Sequence, residues 1–343
     1  MIGKRELVAR VMVHTGAMSL VGKLYNGLYK DVKILAYHRV LPKLDEATFP
    51  YDIELVSAWR DEFDWQMQYL ARHFEVITCR ELAQFVDSGK WPTRPCVLVT
   101  FDDGYLDNYE VALPVLQQHG LPAVMYVSTG YMGSDDVFWY DRLAFDVLHA
   151  QASSLELAPG GRVIQIPSGL EGRRMALMEL LRYLKTISNP VRIETLVHWR
   201  EALRVSAQPD ASGLHRPMNW DQVKALSDAG IEIGSHTVTH PVLSRVSDQA
   251  ELELELMASK AAIEACTGKP VMSIAYPTGG HSSYTDRVVD CVKRAGYRFA
   301  FTYESGVNQP LSWDPYRLRR SAIERYVSRE RFQALLAAPG LFS

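Results

Sequence analysis

From Asp31 onward the sequence alternates short β-rich runs with helix-period patterns, a rhythm that leaves few folds open. It is the signature of βα units built around a largely parallel sheet, an α/β fold. The runs fall at 34–37, 75–78, 96–101, 123–127, 231–235, 273–276, 298–302 and 316–323, which predicts about eight strands. Between them, 57–73 places Trp59, Phe63, Met67 and Leu70 on one helical face. A further helix stops near Gly120, a residue suited to a left-handed C-terminal cap. Asn219 with Gln222 three residues on opens a short helix that Gly230 closes, and 248–266 and 284–295 complete the helical set. The rhythm breaks at 134–217, where a Pro/Gly-containing stretch (159–172) sits beside helical patterns at 173–186 and 190–204. That region reads as a partly helical insertion in one domain spanning 31–343.

Composition narrows the function. Thirty-seven Lys and Arg against forty Asp and Glu give a formal charge of −3, so no overall field selects nucleic acid. Cys79, Cys96, Cys266 and Cys291 lie far apart and form no CxxC pair, which argues against a zinc ribbon or a thioredoxin-like site and fits thiols in a reducing compartment. Residues 1–30 are read as an amphipathic helical segment, with Lys4, Arg5, Arg10 and Lys23 interleaved among Leu7, Val8, Val11, Met12, Leu20 and Val21. The apolar stretch is broken by His14, Thr15, Gly16, Ser19 and Lys23 and precedes no small-x-small cleavage site, so packing on the body or peripheral contact with a membrane is expected rather than export.

The chemistry concentrates at strand ends. Thr100-Phe101-Asp102-Asp103-Gly104-Tyr105 puts two carboxylates directly after an apolar buried strand, and neighbouring residues there cannot point the same way. One can face a metal and the other the water or substrate beside it. Asp-Asp-Gly is also a common turn sequence. Gly234-Ser235-His236-Thr237-Val238-Thr239-His240 comes after another strand, and its two imidazoles would share a face on one helical turn. Two imidazoles and one carboxylate make a transition-metal site with open positions, although ten histidines allow such a spacing by chance. Position strengthens the reading. Asp102 and Asp103, His236, the segment Tyr276-Pro277-Thr278-Gly279-Gly280, and His38 each end a different strand, and in parallel barrels that rim builds the active site.

The segments TFDDGY, SHTVTH and AYPTGG, in this order, resemble the first three motifs of the polysaccharide deacetylase (NodB-homology, carbohydrate esterase family 4) proteins. ILAYHRV and DPYRLRR resemble the subgroup associated with exopolysaccharide biosynthesis. The resemblance runs from about residue 31 to 323. It implies a distorted (β/α) barrel of seven or eight strands, with Asp102 as catalytic base, Asp103, His236 and His240 as metal ligands, and Tyr105, Tyr276, Pro277, Thr278 and Gly279 at the substrate. A divalent cation is implied, Zn²⁺ first, with Co²⁺, Ni²⁺ or Mn²⁺ as alternatives.

Two family features are missing. No Arg precedes Tyr276-Pro277, and no late Leu-x-His supplies an acid. By the two-residue period of a strand, Arg320 faces the barrel interior if Leu318 does, so Arg320 can pair with Asp102. A surface ion pair is the alternative. His38 is a candidate acid or a hydrogen-bonded core histidine, and His281 a further candidate or a solvated loop residue. Trp139, Tyr140 and Trp220 can line a sugar cleft or simply pack. The expected activity is removal of N-acetyl groups from an N-acetylated hexosamine in a polysaccharide or lipid-linked saccharide, in the cytoplasm at the inner membrane face. Hydrolysis of another C–N bond, in a formylated aminosugar or small cyclic amide, and a silent glycan-binding role are the competing expectations.

Overall fold

The computed structural model describes residues 4–28, 31–209, 213–310 and 313–342. The ends of the expected N-terminal segment, 1–3 and 29–30, lie outside the described residues, as do 210–212 within the expected insertion and Ser343. The barrel strands are β1 (Lys33–Tyr37), β2 (Glu75–Val76), β3 (Cys96–Phe101), β4 (Val124–Val127), β5 (Glu232–Ser235), β6 (Ser273–Ala275), β7 (Phe299–Phe301) and β8 (Ser321–Ala322). Seven of them form one curled sheet in the order β7-β6-β5-β4-β3-β1-β8, and β2 adds to the start of β3. Every pairing is parallel. The chain before β8 returns to β7, where Leu318 donates to the Ala300 carbonyl at 3.0 Å, so one run touches both edges of the curl. The result is the distorted (β/α) barrel that the resemblance implied.

Helices α1 (Lys4–His14), α2 (Ala17–Leu28), α3 (Arg60–His73), α4 (Cys79–Ser88), α5 (Leu113–His119), α6 (Trp139–Leu148), α7 (Leu170–Leu184), α8 (Asn189–Ala202), α9 (Trp220–Asp228), α10 (Gln249–Thr267), α11 (Asp286–Arg294) and α12 (Arg329–Ala337) complete the frame. Local chemistry sets many of their ends. Thr78 with Glu81 and Asn219 with Gln222 form reciprocal capping boxes, and Gly120 and Gly268 close their helices with φ near +65°.

The strand period divides the core in two. Ile34, Leu98, Tyr126, Phe301 and Leu318 fill the barrel interior, where Tyr126 and Phe301 meet at 5.6 Å across non-adjacent strands. Leu35, Tyr37, Val99, Phe101 and Met125 point outward onto helices such as α3, whose Phe63, Met67 and Leu70 are fully buried. Gly234 is required in this interior: a Cβ there would lie 2.3 Å from the Tyr126 ring.

Three sequence expectations need correction. The 57–73 pattern splits, because Val56–Trp59 is a strand paired with Arg39–Leu41, and the helix begins at Arg60. The 316–323 run is not one strand, since the bridge at Leu318 and the short β8 serve different neighbours. The insertion holds a hairpin, Ser154–Glu156 with Val163–Gln165, whose turn and second strand fall in the Pro/Gly-containing stretch. At the barrel's foot, α1 and α2 pack on α12, with Ala9 and Met18 buried and Gly22 in close approach to Ala337.

Candidate metal centre and its cleft

At the C-terminal end of β3 the backbone turns sharply: Asp103 has φ +76° and Gly104 φ +96°. This is how adjacent carboxylates reach different partners. Asp102 points into the barrel, where Arg320 Nη1 and Nη2 each donate to one of its oxygens at 2.7 Å. Arg320 is fully buried and is itself fixed by donating to the Thr302 carbonyl at 2.9 Å and to Thr100 Oγ1 at 3.2 Å. Burial works to raise the Asp102 carboxyl, but Arg320, helped by His236 and His38, holds it well below the usual carboxylate range.

Asp103 meets the two histidines. His236 Nε2 and His240 Nε2 lie 3.5 and 3.4 Å from Asp103 Oδ1, and the three ligand atoms fall within 4.8 Å of one another. The expected helical turn is absent. Residues after Ser235 form a loop with left-handed Thr237 (φ +67°) and His240 (φ +55°), which bring the two rings to 4.9 Å between centroids. Glu255 on α10 pins that loop by accepting from the Val238 and Thr239 amides at 2.7 and 2.9 Å. His236 Nδ1 bonds the Ala275 carbonyl at 2.8 Å, which makes Nδ1 the protonated nitrogen and leaves the Nε2 lone pair toward Asp103. The Trp139 indole N–H donates to the His240 carbonyl at 3.2 Å.

Asp103 Oδ1 is buried without a hydrogen-bond partner. Burial first, then the neighbouring Asp102 charge, pushes the Asp103 carboxyl well above its ordinary value. Burial lowers both imidazoles, so they are neutral ligands rather than balancing cations. A divalent cation fits this donor set: it supplies the missing partner and the missing charge, and an N₂O set with open positions suits zinc-like ions.

A cleft of about 250 Å³ opens over the centre. Asp102, Asp103, His38, His236, His240, Trp139, Tyr140, Tyr276 and Thr278 line it. His38 sits edge-on to Tyr303 at 5.4 Å, and burial, with Arg320 adding to it against Asp102, lowers its pKa to about 4. Pro277, Gly279 and Trp220 are not in the lining, and the His281 side chain is 95% exposed. Gly279 has a structural use, because a Cβ there would sit 2.5 Å from the Tyr303 amide. Tyr105 corrects an expectation. Its side chain is fully buried beneath the centre and donates to Asp141 at 2.6 Å, so it supports the site from below instead of facing the cleft.

Sequence reasoning did not find Tyr303, Glu324, Asp52, Glu54 and Leu55, nor Leu181 and Lys185 from the α7 region, all of which line the cleft. Tyr303 and Glu324 come after β7 and the short β8, so the strand-end criterion would have selected both.

The family model described as polysaccharide deacetylase matches residues 89–159 and 196–300. The chain belongs to the polysaccharide deacetylase family. Within this family it is 30% identical over 125 residues to the poly-beta-1,6-N-acetyl-D-glucosamine N-deacetylase of Staphylococcus aureus, covering 34% of this chain and 43% of that protein. YxkH of Bacillus subtilis is 38% identical over 69 residues, 20% of this chain and 25% of YxkH. The chain thus aligns with less than half the length of these curated relatives. Among solved structures, the deacetylase PplD of Streptococcus pyogenes superposes with a TM-score of 0.58 at 18% identity, over 90% of this chain and 98% of that one. IcaB from Ammonifex degensii gives 0.56 at 19%, over 90% and 96%. These likenesses establish the shared polysaccharide deacetylase fold. The stretch 160–195, which includes α7, falls outside the two matched blocks.

Proposed function

We propose that this chain hydrolyses the N-acetyl amide of an N-acetylated hexosamine within a polysaccharide or lipid-linked saccharide, using Zn²⁺ or a similar divalent ion. The observation that carries the reading is the juxtaposition of an Arg-clamped carboxylate, Asp102, with the Asp103-His236-His240 cluster in one cleft. The N-deacetylase name of the staphylococcal relative supports the choice of bond and sugar. The ion, held by Asp103, His236 and His240, would polarise the scissile carbonyl and lower the pKa of water to about 7 in a favourable zinc site.

Asp102 takes the proton of the attacking water. Arg320 occupies one lone pair on each of its oxygens and leaves the others free, so the clamp orients the base without blocking it. His38, on the Tyr303 side of the cleft, passes a proton to the departing nitrogen. With a pKa near 4 it is neutral at pH 7, so the proton it passes on is the one Asp102 has taken from the water, and both groups return to their starting states. Tyr276 and Thr278 form part of the cleft wall against which the sugar lies.

The N-terminal helix pair is proposed as a peripheral membrane contact at the inner face. Among the described residues no single helix is long and apolar enough to span, and α1 and α2 meet at 97°. Leu7, Val8, Val11, Leu20 and Leu24 are all about half exposed or more, beside Arg10 and Lys23. A bent, basic, apolar-faced pair suits immersion at the headgroup level.

The test is acyl release from a panel of free and lipid-linked N-acetylated saccharides, with metal analysis of the same preparation. Acetate release that stops with a chelator and returns with Zn²⁺ is expected. A metal-replete protein that binds glycans and releases no acyl group would leave a binding role instead, and formate or a ring-opened acid as product would move the reaction to another C–N bond.

A further inference from the structure

The barrel's buried tyrosine hydroxyls find acceptors or partners: Tyr37 on Gln66 at 2.8 Å, Tyr105 on Asp141 at 2.6 Å, Tyr126 with Ser273 at 3.1 Å, and Tyr276 and Tyr297 on backbone carbonyls at 3.0 and 2.7 Å. Tyr140 departs from this pattern. Its side chain is 6% exposed, and its hydroxyl is buried with no hydrogen-bond partner among the described residues. A donor left in that state forfeits its hydration without compensation, so the position is destabilising unless something arrives to meet it.

The ring cannot swing away to find water. It lies in the first turn of α6, stacked on Phe138 at 5.4 Å and 3° and edge-on to Trp139 at 5.3 Å, and it stands T-shaped against the His240 ring at 5.1 Å. It lines the same cleft as Asp102, Asp103, His236 and His240, and the groups whose charge acts on it are Asp103, Tyr105 and Asp141. Tyr105 gives its proton to Asp141, and the Tyr140 hydroxyl makes no hydrogen bond to the Tyr105 oxygen or to the unpartnered Asp141 Oδ1. The Tyr140 hydroxyl is near enough to Asp103 to temper the rise of that carboxyl, but a cation would claim the free lone pair of Asp103 Oδ1. The remaining place for an acceptor is the cleft.

We infer that the Tyr140 hydroxyl donates a hydrogen bond to the acyl carbonyl oxygen of the bound substrate, and to a carboxylate oxygen of the released acid. This rests on the amide-hydrolase reading above. As water adds to the carbonyl carbon, negative charge grows on that oxygen, and a donor already fixed in a dry site strengthens its bond without reorganising. Tyr140 is therefore a substrate-contacting residue that stabilises developing charge from the protein side.

The experiment compares Tyr140→Phe with the wild-type full chain, both loaded with Zn²⁺, in three measurements: zinc affinity by competition with a chromophoric chelator, acetate binding by calorimetry, and melting temperature of the acetate-free proteins. The expected result is zinc affinity within about twofold, acetate bound at least about fivefold more weakly, and a melting temperature equal or higher because an unmet donor has gone. On a saccharide that the wild type deacetylates, kcat should fall on the order of a hundredfold, as for loss of one donor to a developing oxyanion. Unchanged acetate affinity would overturn the inference. So would a large loss of zinc affinity, which would place the hydroxyl on Asp103, or a lowered melting temperature with acetate binding intact, which would make it structural. Acetate binding needs no turnover, so a wild-type protein that binds acetate through Tyr140 yet hydrolyses no glycan would sink the hydrolase reading and leave this one standing.

Discussion

Arg320 grips both oxygens of Asp102 at 2.7 Å from a position 218 residues away in the chain. Both groups are buried, so removing either partner strands a charge, a loss that typically costs about 3–5 kcal/mol.

Arg320→Lys keeps the charge and loses the two-pronged geometry. It should lower kcat by about ten- to a hundredfold and reduce the melting temperature, with zinc content preserved. Steady-state kinetics beside metal analysis decide the matter. A variant with full turnover would mean that the clamp does not orient the base.

Asp102→Asn and Asp103→Asn should separate cleanly. The first keeps its metal and loses most turnover, on the order of a hundredfold or more. The second, like His236→Ala and His240→Ala, becomes metal-poor, and excess Zn²⁺ partly rescues it. A metal-poor Asp102→Asn that zinc rescues, beside a metal-replete and inactive Asp103→Asn, would reverse the two roles.

His38 gives a pH signature. Its pKa is about 4 in the folded chain against about 6.5 unfolded, so between those values the unfolded state binds a proton that the folded state does not. Its contribution to stability is therefore constant above pH 6.5 and is lost as pH falls toward 4. His38→Gln should flatten the decline of unfolding free energy of the metal-free protein across that window, by roughly 1–3 kcal/mol at its lower end, read from denaturant titrations at each pH. Parallel pH profiles for the two proteins would show that histidine to be solvated.

Leu7→Ser, Val11→Ser, Leu20→Ser and Leu24→Ser combined should weaken binding to vesicles containing anionic phospholipid by about tenfold or more. Each immersed side chain contributes on the order of 1 kcal/mol. The melting temperature should move little, because these side chains are exposed, whereas Ala9 and Met18 are buried and Gly22 approaches Ala337 of α12. If vesicle binding persists, the pair is a structural buttress.

The parallel strands were legible because a buried strand reads as a continuous apolar run, as in 96–101, and its end is marked where Asp102 and Asp103 interrupt it. The metal ligands came from strand ends, and Arg320 from counting residues by twos from Leu318. Loop geometry was not legible. The His236 and His240 spacing reads as a helical turn, yet Thr237 and His240 adopt left-handed backbone that Glu255 holds in place from α10, and nothing in the local sequence reports a partner that distant. The Tyr105 side chain was placed on the wrong side because the turn at Asp103 and Gly104 carries the next residue beneath the centre. Leu181 and Lys185 were hidden for a related reason: a helical pattern shows which residues share a face but not that the face overhangs a cleft.

The separation of Asp102 from Arg320 also sets a timetable. At synthesis rates of about 5–20 residues per second, roughly 10–40 s pass between the appearance of the carboxylate and that of its guanidinium. Through that interval Asp102 cannot be buried without an unbalanced charge, so β3 has reason to stay hydrated at its mouth while the helices around it form. The same late segment carries Leu318 to β7 and β8 to β1, so a single ordering event joins the edges of the sheet and arms the carboxylate. A nascent chain halted before Arg320 would expose its barrel seam and leave Asp102 without its guanidinium, so closure of the sheet and pairing of that carboxylate are one event.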